Sequence, residues 1–295
     1  MKTLFLALAS IFIGTQVFTQ DQKPNSLLWK VYGKDVKDTS YLFGTIHIID
    51  KKNFVLKDKV KRCFKKSEAL VMEVSLDIPD SSKRSMVTMA MYPQRKTVKD
   101  YLSAEDYAYF HSYLIDSLNI NSLKVKIYEM MRPFFLESIV VVEQLGKTES
   151  YEQRFVKMAK KKEKLALETI EEQMAVVNGN GNIELQLKQL VADAKSGKLN
   201  ANKEFRTMVN MYCNEDLNAL YTYITNEMED PSNQETGVSK ATLLDNRNQK
   251  WIPLLSKWMS SKQLFIAVGA GHLAGEMGVI NLLKQAGYQV EPVYY

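Results

Sequence analysis

Leu264-Phe265-Ile266-Ala267-Val268-Gly269-Ala270-Gly271-His272 is a short apolar run that ends in Gly-x-x-His. An unbroken run of this length, bounded by glycine, predicts a strand buried on both faces, as in a parallel sheet. The same four-residue pattern closes Tyr41-Leu42-Phe43-Gly44-Thr45-Ile46-His47. The chain has three histidines, and two of them occupy these matched positions. A strand ending this way delivers an imidazole to a sheet edge. Two such deliveries, from opposite ends of the chain, can converge on one metal ion.

Working outward, Leu27–Tyr32 and Ser40–His47 read as a hairpin, and Ala69–Val74 and Lys164–Thr169 as further strands. Tyr288–Val293 reads as an edge strand, where Pro292 is tolerated. Between them the pattern is helical. Leu56, Val60, Cys63 and Phe64 share a face, and residues 85–146 are largely helical, with one long helix at 124–145 bent at Pro133. Residues 151–161, 170–177, 182–194, 202–228, 242–259 and 278–286 also read as helices, with a turn at 178–181 and a polar loop at 229–238. Phe205, Met208, Val209, Tyr212, Ala219, Leu220 and Tyr223 form a stripe that core packing explains. Strands separated by helices predict an α/β fold, with a large helical insertion at about 85–162.

The 295 residues, 45% hydrophobic and 25% charged, are ordinary for a globular protein. The net charge of +5 is diffuse, which argues against a nucleic-acid partner. Residues 1–20 read as a signal peptide: Lys2, then the apolar stretch Leu4–Phe18, then small residues at cleavage-compatible Val17 and Thr19. That predicts export to the periplasm or medium, leaving residues 21–295 as a single domain. The later run Phe134–Val142 contains Glu137 and is too short to span a bilayer, so stable membrane insertion is not expected. Cys63 and Cys213 allow either one disulfide or two free thiols.

Four polar groups fall at or just beyond strand ends: His47, Glu73, Glu168 and His272. Ligands of open α/β sheets bind beyond the carboxyl ends of the strands. Two imidazoles and two carboxylates suit a divalent ion such as manganese, cobalt or zinc, whose bound water becomes hydroxide near neutral pH. His47, His272 and Glu73 are the candidate ligands. Glu73, Glu168 and Arg247 are the candidate catalytic groups, the carboxylates for proton transfer and the arginine for an oxyanion or substrate carboxylate. Each also has a plainer role. A buried Glu73 must be paired, metal-bound or neutral, and a structural salt bridge to Arg247 is one way to pair it. Glu171 and Glu172 compete with Glu168 for the inward position, and one of the three can cap the helix at Thr169. His111 reads as a packing or surface residue. G-x-S-x-G, H-E-x-x-H, a P-loop and G-x-G-x-x-G are all absent.

The chain resembles the TraB/GumN family, which includes the Tiki proteases. The resemblance rests on Tyr41-Leu-Phe-Gly-Thr-Ile-His, Leu70-Val-Met-Glu-Val, Leu167-Glu-Thr-Ile-Glu-Glu-Gln, Asn246-Arg-Asn and Ala267-Val-Gly-Ala-Gly-His-Leu-Ala-Gly-Glu-Met-Gly-Val-Ile. It implies a mixed-sheet α/β fold related to erythromycin esterase-like and haem-uptake ChaN-like proteins. It also implies metal-dependent peptide cleavage through His47, His272 and Glu73, with Glu168 and Arg247 in support. The expected function is an exported divalent-metal-dependent peptidase acting on a peptide or protein. The alternative is a non-catalytic envelope protein that binds a peptide or haem.

Overall fold

The apolar run at 264–268 lies at the centre of a six-stranded sheet, with parallel neighbours on both sides. The computed structural model describes residues 25–33, 35–77, 79–178, 182–199, 201–229 and 239–295. The expected signal peptide and most of the loop at 229–238 fall outside these residues.

The strands are β1 (Leu28–Tyr32), β2 (Ser40–Thr45), β3 (Ile49–Asp50), β4 (Ala69–Met72), β5 (Thr148–Glu149), β6 (Glu163–Ala166), β7 (Leu264–Gly269) and β8 (Gln289–Pro292). The main sheet has the order β6-β4-β7-β2-β1-β8, and β3 and β5 form a separate two-stranded ribbon. β6, β4, β7 and β2 are mutually parallel, whereas β1 is antiparallel to both β2 and β8. The sheet is therefore mixed and the fold α/β. β4 and β7 are buried along their whole length, as their continuous apolar sequences predict. β8 is an edge strand, and Pro292 sits opposite Trp29.

Phe43, Phe64, Phe155 and Phe265 interlock with ring centroids 4.9–6.2 Å apart. They fasten the helices Asp58–Lys66 and Tyr151–Met158 to the sheet. A second core joins residues such as Tyr92, Phe110, Leu114 and Leu136 to Leu187, Leu190 and Val191. The helical region thus draws on two separate stretches of chain, while Tyr151 and Phe155 pack on the sheet. No helix among the described residues is long and apolar enough to cross a membrane.

Several boundaries differ from the sequence reading. The long helix expected at 124–145 is two helices, Ser122–Tyr128 and Pro133–Leu145, and Pro133 occupies the first turn of the second, where its missing N–H costs nothing. The helix expected at 202–228 divides into Ala201–Cys213 and Leu217–Glu229 at Glu215, whose φ is +55°. β3 and β5 have two residues each, too few to leave a periodic signal. Cys63 is buried, Cys213 is exposed, and both are free thiols.

Gly44 acts through the space it leaves rather than through a turn. Gly44 lies inside β2, and a Cβ there would meet Ala270 and Leu273 at 3.1 Å. A side chain at residue 44 would therefore push β2 away from the turn that carries His272. Gly44→Val is expected to lower stability by about 1–3 kcal/mol through overpacking. Urea unfolding measures this, and an unchanged midpoint would contradict the close-approach role.

Candidate active site

Register alone brings the four polar groups to one edge. Thr45 pairs with Gly269, and Met72 lies level with both Ala267 and Ala166. The chain leaves β2, β4, β6 and β7 in the same direction, carrying His47, Glu73, Glu168 and His272 past the carboxyl ends. A Cβ at Gly269 would lie 3.2 Å from Glu73 Oε1, 3.5 Å from His47 Nε2 and 3.6 Å from His272 Cδ2. Gly269 therefore marks the point around which these three side chains gather. Its own N–H donates to Glu73 Oε1 at 2.7 Å. A Cβ at Gly271 would touch Ile224 and Leu244, so this glycine faces packing.

Arg247, near the start of the helix Asn246–Met259, reaches into the same cluster with its side chain 7% exposed. Nε donates to both oxygens of Glu168, at 3.1 and 3.0 Å. Nη2 donates to Glu73 Oε2 at 2.7 Å and to Glu168 Oε1. Nη1 donates to the Leu243 carbonyl at 2.8 Å and to His272 Nε2 at 3.1 Å. Every N–H of the guanidinium is thus engaged within the protein. The plain pairing of Glu73 with Arg247 is present, and it lies inside the candidate site.

The network assigns the His272 tautomer. Arginine only donates, so Nε2 accepts and Nδ1 carries the proton, which it donates to Asn248 Oδ1 at 2.6 Å. The Asn248 amide then donates to the carbonyls of His272 and Met277. Trp251 packs 4.5 Å from the His272 ring and 5.0 Å from the Arg247 guanidinium, closing the site from behind. Burial, opposed by Glu73 and aided by Arg247 and His47, lowers the His272 pKa to about 4.

His47 has different surroundings. Its Nδ1 faces Glu152 Oε1 at 2.9 Å, and Thr45 Oγ1 donates to the same oxygen at 2.6 Å. Ser150 holds the other oxygen of Glu152. Crowding by protein atoms opposes protonation of the ring. The Glu152 hydrogen bond and the charges of Glu73 and Glu152 outweigh it, and the pKa rises to about 9. Yet the side chain is 65% exposed. The ring therefore has protein close by on one side and is open to solvent on the other.

Burial pushes the Glu73 carboxyl up, but the positive groups around it and the Gly269 N–H hold it well below the ordinary carboxylate range. With His272 neutral, the lasting contributions are those of Arg247, His47 and the amide. Burial also raises Glu168, and Arg247 only partly offsets it. Of the competing glutamates, Glu168 faces inward, with 8% of its side chain exposed. Glu172 caps the helix at Thr169, accepting from the Thr169 N–H at 2.8 Å, and Glu171 is exposed. Gln173 donates to both Glu73 and Glu168. His111 lies in the helical region, paired with Glu129 and apart from this cluster.

Glu152, Gln173 and the orienting role of Asn248 were not evident from sequence. Glu152 reads there as an ordinary acid in the first turn of a helix capped by Ser150. Only the tertiary fold brings it to His47.

The donor types suit a divalent ion, but their arrangement does not. Among the described residues, no three His, Cys, Asp or Glu side chains are grouped so as to hold one metal ion. Arg247 takes up the Nε2 lone pair of His272 and one oxygen of Glu73.

Two outcomes follow from these environments. Glu152→Gln is expected to drop the His47 pKa from about 9 toward the ordinary 6.5. Imidazole NMR titration reads this, and a pKa that stays near 9 would show that Glu152 does not set it. His272 has a folded pKa of about 4 against 6.5 for a free ring, so the unfolded state binds more protons between these values. Its contribution to stability is therefore lost as pH falls from 6.5 to 4. The thermal midpoint should decline across that window less steeply in His272→Asn than in the parent, and equal slopes would refute the assignment.

A profile of the TraB/PrgY/gumN family matches residues 27–292. The chain is 23% identical over 332 aligned positions to "Metalloprotease TIKI1" of Danio rerio, covering 94% of this chain and 65% of that protein. It is 24% identical over 334 positions to "Metalloprotease TIKI homolog" of Amphimedon queenslandica, covering 94% and 63%. To "Metalloprotease TIKI2" of Danio rerio it is 23% identical over 321 positions, covering 90% and 61%. The chain thus spans a little under two thirds of the length of these relatives. No solved structure matches it. Because the profile match runs from before the first Gly-x-x-His to beyond the second, the chain belongs to the TraB/PrgY/gumN family.

Proposed function

We propose that this protein is an exported, divalent-metal-dependent hydrolase that cleaves peptide bonds. The observation that carries the reading is the gathering of His47, Glu73 and His272 around Gly269, in a chain whose similar proteins are named metalloproteases. The metal dependence rests on those names and on the donor types, with manganese, cobalt or zinc as candidates. Export rests on the leader-like first twenty residues. A relation to erythromycin esterase-like and ChaN-like folds is part of the same proposal.

The chain's own groups divide the work. His47, the exposed member, meets substrate and is held in place by Glu152. Glu168 and Glu73 are the proton carriers. Glu168 is the better suited to hold a proton, because its pKa is raised while that of Glu73 is lowered. Arg247 keeps the two carboxylates together despite their like charge.

Incubation of the purified protein with a peptide library and manganese, cobalt or zinc tests the reading. Metal-stimulated cleavage is expected, reduced by about 100-fold or more in His47→Ala and His272→Ala. Absence of cleavage above these variants with every metal would sink it. Peptide or haem binding that survives chelation and leaves the peptide intact would replace it with the non-catalytic role.

A further inference from the structure

The hydrogen bonds of Arg247 are incompatible with metal ligation by His272. A nitrogen ligand holds zinc at about 2.0–2.1 Å along its lone pair. The Nε2 lone pair of His272 points to Arg247 Nη1, 3.1 Å away. An ion placed on that lone pair would therefore lie about 1 Å from Nη1. Glu73 Oε2 is bound to the same guanidinium at 2.7 Å. No other nitrogen of His272 is free, because Nδ1 is committed to Asn248.

We propose that Arg247 and a divalent cation exclude one another at His272, so that the site alternates between a guanidinium-closed form and a metal-ligating form. The proposal rests on the reading that this site takes a divalent cation. The attachment of Arg247 shows which contacts must break. Nη1 leaves His272 and Leu243, and Nη2 leaves Glu73. Nε can stay on Glu168, whose two oxygens it already contacts. A swing about that last contact uncovers both His272 and Glu73 while keeping the arginine paired. Arg247 is thus a positioning residue whose place decides which ligands an ion finds.

Calorimetric titration with cobalt(II) of the parent protein, Arg247→Met and Arg247→Met/His272→Ala tests this. Cobalt is expected to bind Arg247→Met at least about tenfold more tightly than the parent, a difference of about 1.4 kcal/mol. Adding His272→Ala should abolish the gain. Equal or weaker binding by Arg247→Met would overturn the proposal. So would a gain that persists without His272, since removal of positive charge alone would then account for it. Should Arg247→Met fail to fold, with two buried carboxylates left unpaired, Glu168→Gln/Arg247→Met is compared with Glu168→Gln under the same criteria. Peptide cleavage is not measured in these titrations. A protein that cleaves peptides but shows no cobalt gain refutes the exclusion alone, and one that shows the gain but cleaves nothing refutes the peptidase reading alone.

Discussion

A guanidinium buried between two carboxylates is the interaction on which the candidate site depends. Removing such ions from water costs several kcal/mol each, and only good geometry with full hydrogen bonding offsets that cost. Arg247 meets both conditions, with all its N–H groups donated and its charge set against Glu73 and Glu168. The same residue ties the ends of three neighbouring strands to a helix that shares no backbone pairing with them. Glu73 follows β4, Glu168 follows β6, His272 follows β7, and the arginine comes from the helix Asn246–Met259. Deleting the guanidinium would leave two carboxylates buried and without their counter-ion, so the clamp is part of the fold.

The second constraint is strand order. β7 comes late in the chain yet lies between β4 and β2. Until it inserts, β2 and β4 have no common neighbour, and His47 and Glu73 have no shared floor. β7 supplies the Gly269 amide, places His272 and completes the parallel core. The paired Gly-x-x-His segments therefore meet because their strands are adjacent. They are not superimposable, since the register sets Gly44 against Val268 and Thr45 against Gly269.

What the sequence revealed and what it hid divide along physical lines. β4 and β7 were legible because burial on both faces leaves an unbroken apolar run, and an acid just beyond such a run, Glu73, has to find a partner. The choice among Glu168, Glu171 and Glu172 was not legible, because all three lie within one turn and only the Thr169 cap separates them. The glycines were visible, but the reason for them was not. Gly44 and Gly269 have no left-handed backbone; they leave room for Ala270 and for the Glu73 carboxylate. Glu152 was out of reach because its contact with His47 spans 105 residues and no periodicity encodes it.

The repeated motif suggests two equivalent imidazoles, but its surroundings make them unlike. Arg247 points a positive charge at His272 and a burying shell surrounds it, so that ring stays neutral with its tautomer fixed by Asn248. Glu152 sits against His47, whose open side reaches solvent, so that ring favours the charged form near neutral pH. In the described arrangement Arg247 faces the carboxyl groups of Glu73 and Glu168, and His47 faces that of Glu152. Each imidazole is held by a partner of its own. For His47 to donate a lone pair it must give up a proton that Glu152 stabilises, and for His272 to do so Arg247 must withdraw. The two constraints have different origins, one a proton shared with a carboxylate and the other a hydrogen bond from a guanidinium. One repeated Gly-x-x-His pattern thus places two unlike imidazoles at one sheet edge.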